Sequence, residues 1–216
     1  MLGILRKDLY DTFLIPKNIL SNGLGYLFMF LFAYLTGPNR YMMMVFILVA
    51  IPATSIMILQ AAIEQDETVR FDDLMLTYPI SKKQIVLTRF LENLIGVLLN
   101  MAISLILMLG YVYGGKTTDI QTGIFIWMAG NVVSLYAVAV FSVGFYLLGN
   151  KKGTIVYVAS IFIWAFVYVG LRFIAPWDKI LAFGRWNLLG IAFVAVIPLL
   201  VLSYWGCLKI YEKKHS

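Results

Sequence analysis

"RFDDLMLTYPISKKQIVLTRFLENL", residues 70–94, gathers acids, bases, a proline and a half-apolar stripe into one short stretch. At helical spacing Phe71, Leu74, Met75 and Tyr78 share one face, with Asp72 and Asp73 on the other. Pro79 ends that short helix, because a residue that precedes proline avoids the helical region. Residues 81–84, "SKKQ", have the form of a capping box ahead of an apolar run, so a new helix is expected from Ser81. It runs without a breaker to about residue 113. At 1.5 Å per residue that is about 50 Å, against a hydrocarbon core about 30 Å thick. This helix is expected to project beyond the bilayer. Lys82 and Lys83 stand in its first turn, where the helix dipole disfavours cations. Lipid phosphates and an acidic partner surface are both open as what they face.

The rest of the chain explains why such a stretch stands out. Of 216 residues, 62% are hydrophobic and only 13% charged, and the mean hydropathy is +0.88. A soluble domain carries about 25% charged residues. Apolar runs cover residues 19–36, 41–63, 91–113, 123–148, 154–174 and 187–208. Each is long enough for a transmembrane helix. Barrel strands would alternate apolar and polar, which these runs do not. The fold class is therefore all-α: a polytopic membrane protein of six transmembrane helices, with residues 1–216 as one domain. The first apolar run is long and lacks an A-x-A site after it, so no cleavable signal peptide is expected. The single cysteine, Cys207, permits no internal disulfide.

Lysine and arginine orient the spans. Arg6, Lys7, Lys17, Arg70, Lys82, Lys83, Arg89, Lys151, Lys152, Lys209, Lys213 and Lys214 fall on one side. Only Arg40, Lys116, Arg172, Lys179 and Arg185 fall on the other. Both termini and the 64–80 connection are thus expected in the cytoplasm, in a multi-pass protein of the cell membrane. Residues 1–18 add an interfacial helix. Leu2, Leu5, Leu9 and Phe13 form its apolar stripe, with Lys7, Asp8 and Asp11 opposite, and Pro16 stops it.

Several chemistries find no support. "GYVYGGKT", residues 110–117, fits the P-loop spacing but sits where a membrane helix ends, without the strand and helix a phosphate cradle needs. The only histidine is His215, and no metal-ligand or nucleophile-elbow spacing occurs. The acids of "EQDE", residues 64–67, read as a solvated helix end. No span carries an ionisable group near its centre, since Glu92 and Arg172 fall near span ends. The polar groups at depth, among them Thr54, Ser55, Asn100, Ser104, Asn131 and Ser142, read mostly as contacts between helices, with a minority open to lining a path. Energy for any pumping is then expected from another chain.

The run from residue 64 to 94 resembles the first cytoplasmic loop of ABC-2 type transporter permeases. Those show an acid-rich end to the second span, a leucine-rich stretch, "LP(V/I)SR" and then "IV..KY". Leu74, Leu76, Pro79, Ile80, Ser81 and Lys82 match the middle, and Ile85, Val86, Arg89 and Phe90 match the end. Tyr78 stands where leucine usually precedes the proline, and Arg89-Phe90 replaces Lys-Tyr.

The resemblance implies a permease that pairs with a second copy or a homologue. Each would bind a cytosolic ATP-binding subunit that carries the ATP and Mg. The chain itself would hold no cofactor, do no bond-breaking chemistry and bind no nucleic acid. Its other surroundings would be membrane lipids. Residues 64–80 would form the coupling segment. Phe71, Leu74, Met75 and Tyr78 would be its buried knob, Arg70, Asp72 and Asp73 the rim, and Pro79 and Ser81 would complete the contact. The short chain also resembles permeases of Gram-positive exporters of amphipathic toxic peptides, of the phenol-soluble modulin type. A membrane scaffold or immunity protein is the alternative, and an intramembrane enzyme lacks its catalytic residues.

Overall fold

A computed structural model describes every residue except Met1, Arg70, Leu76, Tyr78, 175–183, 215 and 216. It does not place the side chains of Ser21, Asp72, Asp73, Ala165, Tyr168, Val169 and 171–174. Seven helices organise the described residues. They are α1 (Leu2–Phe13), α2 (Pro16–Leu35), α3 (Arg40–Val69), α4 (Phe71–Met75), α5 (Lys82–Gly114), α6 (Ile120–Ile174) and α7 (Arg185–Lys214). All but α1 and α4 are long and apolar enough to cross a membrane.

Helix α6 supplies two crossings. At Gly149 the backbone leaves the helical region (φ 73°, ψ −176°), a conformation that side-chain-bearing residues rarely adopt. Phe141 and Tyr157, on opposite sides of that break, bring their ring centroids within 4.9 Å. A straight helix would hold them about 24 Å apart. The chain therefore doubles back at Gly149, and the bundle has six crossings, as the apolar runs predict.

Helix α3 is the irregular element. Phe46–Ala50 is wound as a π-helix, and Pro52 is followed by a turn at residues 54–56 before the helix resumes at Met57–Val69. Proline removes one backbone donor and crowds the preceding turn, which opens the ladder here. Side chains fill the gap. Asn100 of α5 donates to the Ile51 carbonyl at 3.3 Å and to Ser55 Oγ at 3.2 Å. Its own oxygen accepts from Tyr26 at 2.8 Å and from Thr54 at 3.1 Å. The same logic recurs where Trp127 donates to Ser104 Oγ and Ser203 to the Ala139 carbonyl. In lipid such polar groups must be satisfied by protein.

Two apolar cores flank this polar level. One, at the end that carries both termini, joins Ile4 of α1 to Ile63, Met75, Val86, Phe145 and Tyr211. The other, at the far end, joins Met43 and Ile47 to Met108, Tyr111 and Ile126. Helices α2 and α7 leave broad apolar faces exposed, including Leu27, Phe28, Leu31, Val194, Ile197 and Val201. In a membrane protein those faces meet acyl chains or another subunit rather than water.

Candidate functional site at the end that carries both termini

The segment quoted at the outset lies beside the first core. Ser81 caps α5 as the sequence predicts. Its hydroxyl accepts from the Gln84 N–H at 3.3 Å, and the Gln84 side chain accepts from the Ser81 N–H at 3.1 Å. Helix α4 is a single short turn, closed by Thr77, whose N–H and hydroxyl both donate to the Leu74 carbonyl. Pro79 is exposed beyond it.

The apolar face of α4 divides. Met75 is 1% exposed and belongs to the chain's own core, and Phe71 packs against the same core with the Lys7 ammonium 4.7 Å from its ring centroid. Leu74 is 53% exposed. Arg70 and Tyr78 lie outside the described residues, as do the side chains of Asp72 and Asp73. Of the four residues expected to form one knob, the fold thus holds two inward and turns one outward.

Directly ahead of α4 lies a set of charges. The expectation that "EQDE" is a solvated helix end fails at Asp66, which is buried, while Glu64 and Glu67 keep their exposure and find partners at the surface. Glu64 accepts from Lys17 at 3.2 Å. Glu67 accepts from the backbone N–H of Asn150 at 2.9 Å and so closes the turn at Gly149. Asp66 is 1% exposed and receives both Lys7, at 2.8 Å, and the guanidinium of Arg89. Lys7 also reaches Asp8 at 2.7 Å and Asp11 at 3.1 Å. Arg89 lies 3.9 Å from Asp8. Asp8 and Glu92 are fully buried. The three acids at the end of α3 therefore bind α1, α2, α5 and the turn of α6, directly ahead of α4.

This geometry also turns α1 over. Its polar face, with Asp8 and Thr12 buried, packs into the protein, while Leu2 is exposed and Leu5, Leu9 and Phe13 are half-buried. The apolar stripe is left to the surroundings, as an interfacial helix requires. Burial alone would lower the pKa of Lys7, but Asp8 and Asp66 outweigh it and raise the pKa well above the usual lysine value. Lys7 is a cation at every ordinary pH.

Sequence reasoning missed this cluster, although a signal was present. Arg89, Glu92, Asn93, Gly96 and Asn100 recur at helical spacing along α5. A polar stripe on a spanning helix must face protein. The other candidates fare as follows. The P-loop-like stretch is the last turn of α5 and the loop after it, at the far end of the bundle, with no strand before it. Among the described residues no group of acids, cysteines or histidines is arranged to hold a metal ion.

Two cavities open higher in the bundle. One, of about 320 Å³, is walled almost wholly by apolar side chains, including Leu48, Val133, Val140 and Trp164. The other, of about 430 Å³, mixes Phe28 and Phe46 with Asn22, Tyr26, Thr54 and Gln60. Both touch Ala53, at the break in α3.

A family model described as ABC-2 family transporter protein matches residues 3–212. No curated protein and no solved structure matches the chain.

Proposed function

The chain belongs to the ABC-2 family of transporter proteins, and from that premise we propose that it is the membrane-spanning half of an ATP-driven exporter with α4 as its coupling helix. Membership of that family supports a multi-pass permease subunit that works with an ATP-binding subunit. The finer reading assigns the end that carries both termini to the cytoplasm, on the strength of its lysines and arginines.

The observation that carries the coupling role is the way α4 is mounted. It is too short to be stable alone. It is held through Phe71 and Met75, next to a buried ionic junction of α1, α3 and α5, and it presents Leu74 outward. A push on Leu74 and its neighbours is delivered to α1, α3 and α5 together. In this reading Leu74 and Pro79 enter a cleft of the ATP-binding subunit, with Arg70, Asp72, Asp73, Tyr78 and Ser81 around them. Closure of the ATPase pair then rocks the spans of two permease copies.

The cargo we assign is an amphipathic or hydrophobic peptide. The two cavities support it, since an apolar chamber and a mixed chamber adjoin at Ala53. Such a pair suits a ligand with one apolar and one polar face.

The test is co-expression with a candidate ATP-binding subunit, followed by purification and ATPase assay in lipid. The reading expects a stable complex whose ATPase is stimulated by amphipathic peptide, and loss of that stimulation on Leu74→Asp. A chain that purifies without an ATP-binding subunit, or whose complex is indifferent to Leu74→Asp, would instead be a membrane scaffold or immunity protein.

A further inference from the structure

Between α1, α3 and α5 lie five charged side chains whose count does not balance. Lys7 and Arg89 supply two positive charges, and Asp8, Asp66 and Glu92 supply three carboxylates. Asp11, at the rim, adds a fourth that keeps some contact with the surroundings. Three carboxylate oxygens in this cluster are buried without a hydrogen-bond partner among the described residues: Oδ2 of Asp8 and both oxygens of Glu92. Native proteins rarely leave buried polar atoms unmet, and each case calls for a cause.

Asp8 and Glu92 are both fully buried, and their carboxyls are neighbours. The Glu92 carboxyl lies within hydrogen-bonding reach of that of Asp8, and neither has a donor to offer while both are ionised. Two ionised carboxylates so placed repel, and one proton between them removes the repulsion and supplies the missing donor. It also makes the inner five side chains neutral. Arg89 Nε stops 3.9 Å from Asp8 Oδ2, beyond hydrogen-bonding distance. From α3, Glu64 and Glu67 are turned to Lys17 and to the Asn150 N–H. From α6 and α7 come the hydroxyls of Tyr146 and Tyr211 and the thiol of Cys207.

We propose that Asp8 and Glu92 form a proton-binding site, in which one proton carried on Glu92 and donated to Asp8 Oδ2 holds α1 against α5. Release of that proton to solvent leaves two like charges in contact and loosens α1. Because Lys7 of α1 also lies over Phe71, the state of the site bears on how firmly α4 is seated. The inference concerns this chain alone and does not depend on what it transports.

The test uses the full-length protein in nanodiscs of zwitterionic lipid. Infrared spectra at neutral pH should show a deuterium-sensitive carbonyl stretch of a buried protonated carboxyl. That band should be lost in Glu92→Gln and in Asp8→Asn, and kept in Glu64→Gln. Hydrogen exchange of residues 2–13, corrected for the intrinsic rate, should increase as pH is raised in the native protein and stay level in Glu92→Gln, which keeps a donor without a titrating proton. Should Glu92→Gln fail to fold, Asp8→Asn gives the same reading. Absence of the band from the native protein, its survival in Glu92→Gln, or the same exchange profile in both would overturn the proposal.

Discussion

Asp66, near the end of α3, closes on Arg89, in the second turn of α5, with both side chains buried. The two residues flank the whole 67–88 connection, so their contact pins the base of the loop that carries α4. A buried ion pair gains little over a well-packed apolar pair, but loss of one partner strands a charge. We therefore expect Asp66→Leu alone, or Arg89→Met alone, to cost about 3–5 kcal/mol of stability. The double variant should recover most of that loss. Thermal unfolding in detergent checks it, and equal losses in single and double variants would show that the charges themselves, rather than their balance, hold the loop.

Leu74 and Met75 are neighbours with opposite surroundings, which separates coupling from folding. Met75→Ala removes a side chain from the core and should destabilise the chain by about 2–5 kcal/mol. Leu74→Ala removes an exposed side chain and should leave the unfolding temperature within the error of a surface substitution, about 0.5 kcal/mol. If α4 is the coupling helix, peptide-stimulated ATPase falls in Leu74→Ala although the protein is as stable as before. The combination of unfolding curves and ATPase assays distinguishes the two effects. A drop confined to Met75→Ala would locate the contact elsewhere.

How much of this was legible follows from which forces act along the chain and which act across it. The spans were legible because the bilayer imposes a length and a polarity on each of them, and the break at Gly149 lay between two apolar runs as expected. The cap at Ser81 was legible because its partner is only three residues away. The junction at Asp66 was not, because its partners Lys7 and Arg89 are remote in sequence, and an acid beside Glu64 and Glu67 looks like any hydrated helix end. The division of the α4 face was hidden for a related reason. Helical spacing says that Phe71, Leu74 and Met75 share a side, but only the position of α1 decides which of them it covers.

The cap on α5 makes a separate claim. Ser81 and Gln84 satisfy two backbone donors reciprocally at the point where the chain leaves the α4 loop. Ser81→Ala should cost about 1 kcal/mol, and Ser81→Gly only a few tenths, since glycine lets water reach the freed N–H groups. The loss should be local. Hydrogen exchange of residues 82–88 should rise in Ser81→Ala while the middle of α5, packed at Asn100, is unaffected. Uniform deprotection along α5 would mean that the cap supports the whole helix rather than its first turn.

A close helix approach lies at Gly130, in the first arm of α6. A Cβ built there would sit 2.3 Å from the Ile47 carbonyl oxygen and 2.8 Å from its Cγ2. Ile47 belongs to the π-wound part of α3, so the wide turn and the glycine allow the two backbones to meet. Backbone cannot step aside as a flexible side chain can, and Gly130→Ala should therefore cost about 1–3 kcal/mol through overpacking. Gly144, further along the same arm, has nothing within 4 Å of its would-be Cβ. There alanine should be neutral or stabilising by up to about 1 kcal/mol, because it is the better helix former. Comparing the two variants by thermal unfolding removes helix propensity from the measurement. If Gly130→Ala unfolds no earlier than Gly144→Ala, the second and fourth crossings are free to separate at this level, and the contact at Ile47 does not fix the distance between them.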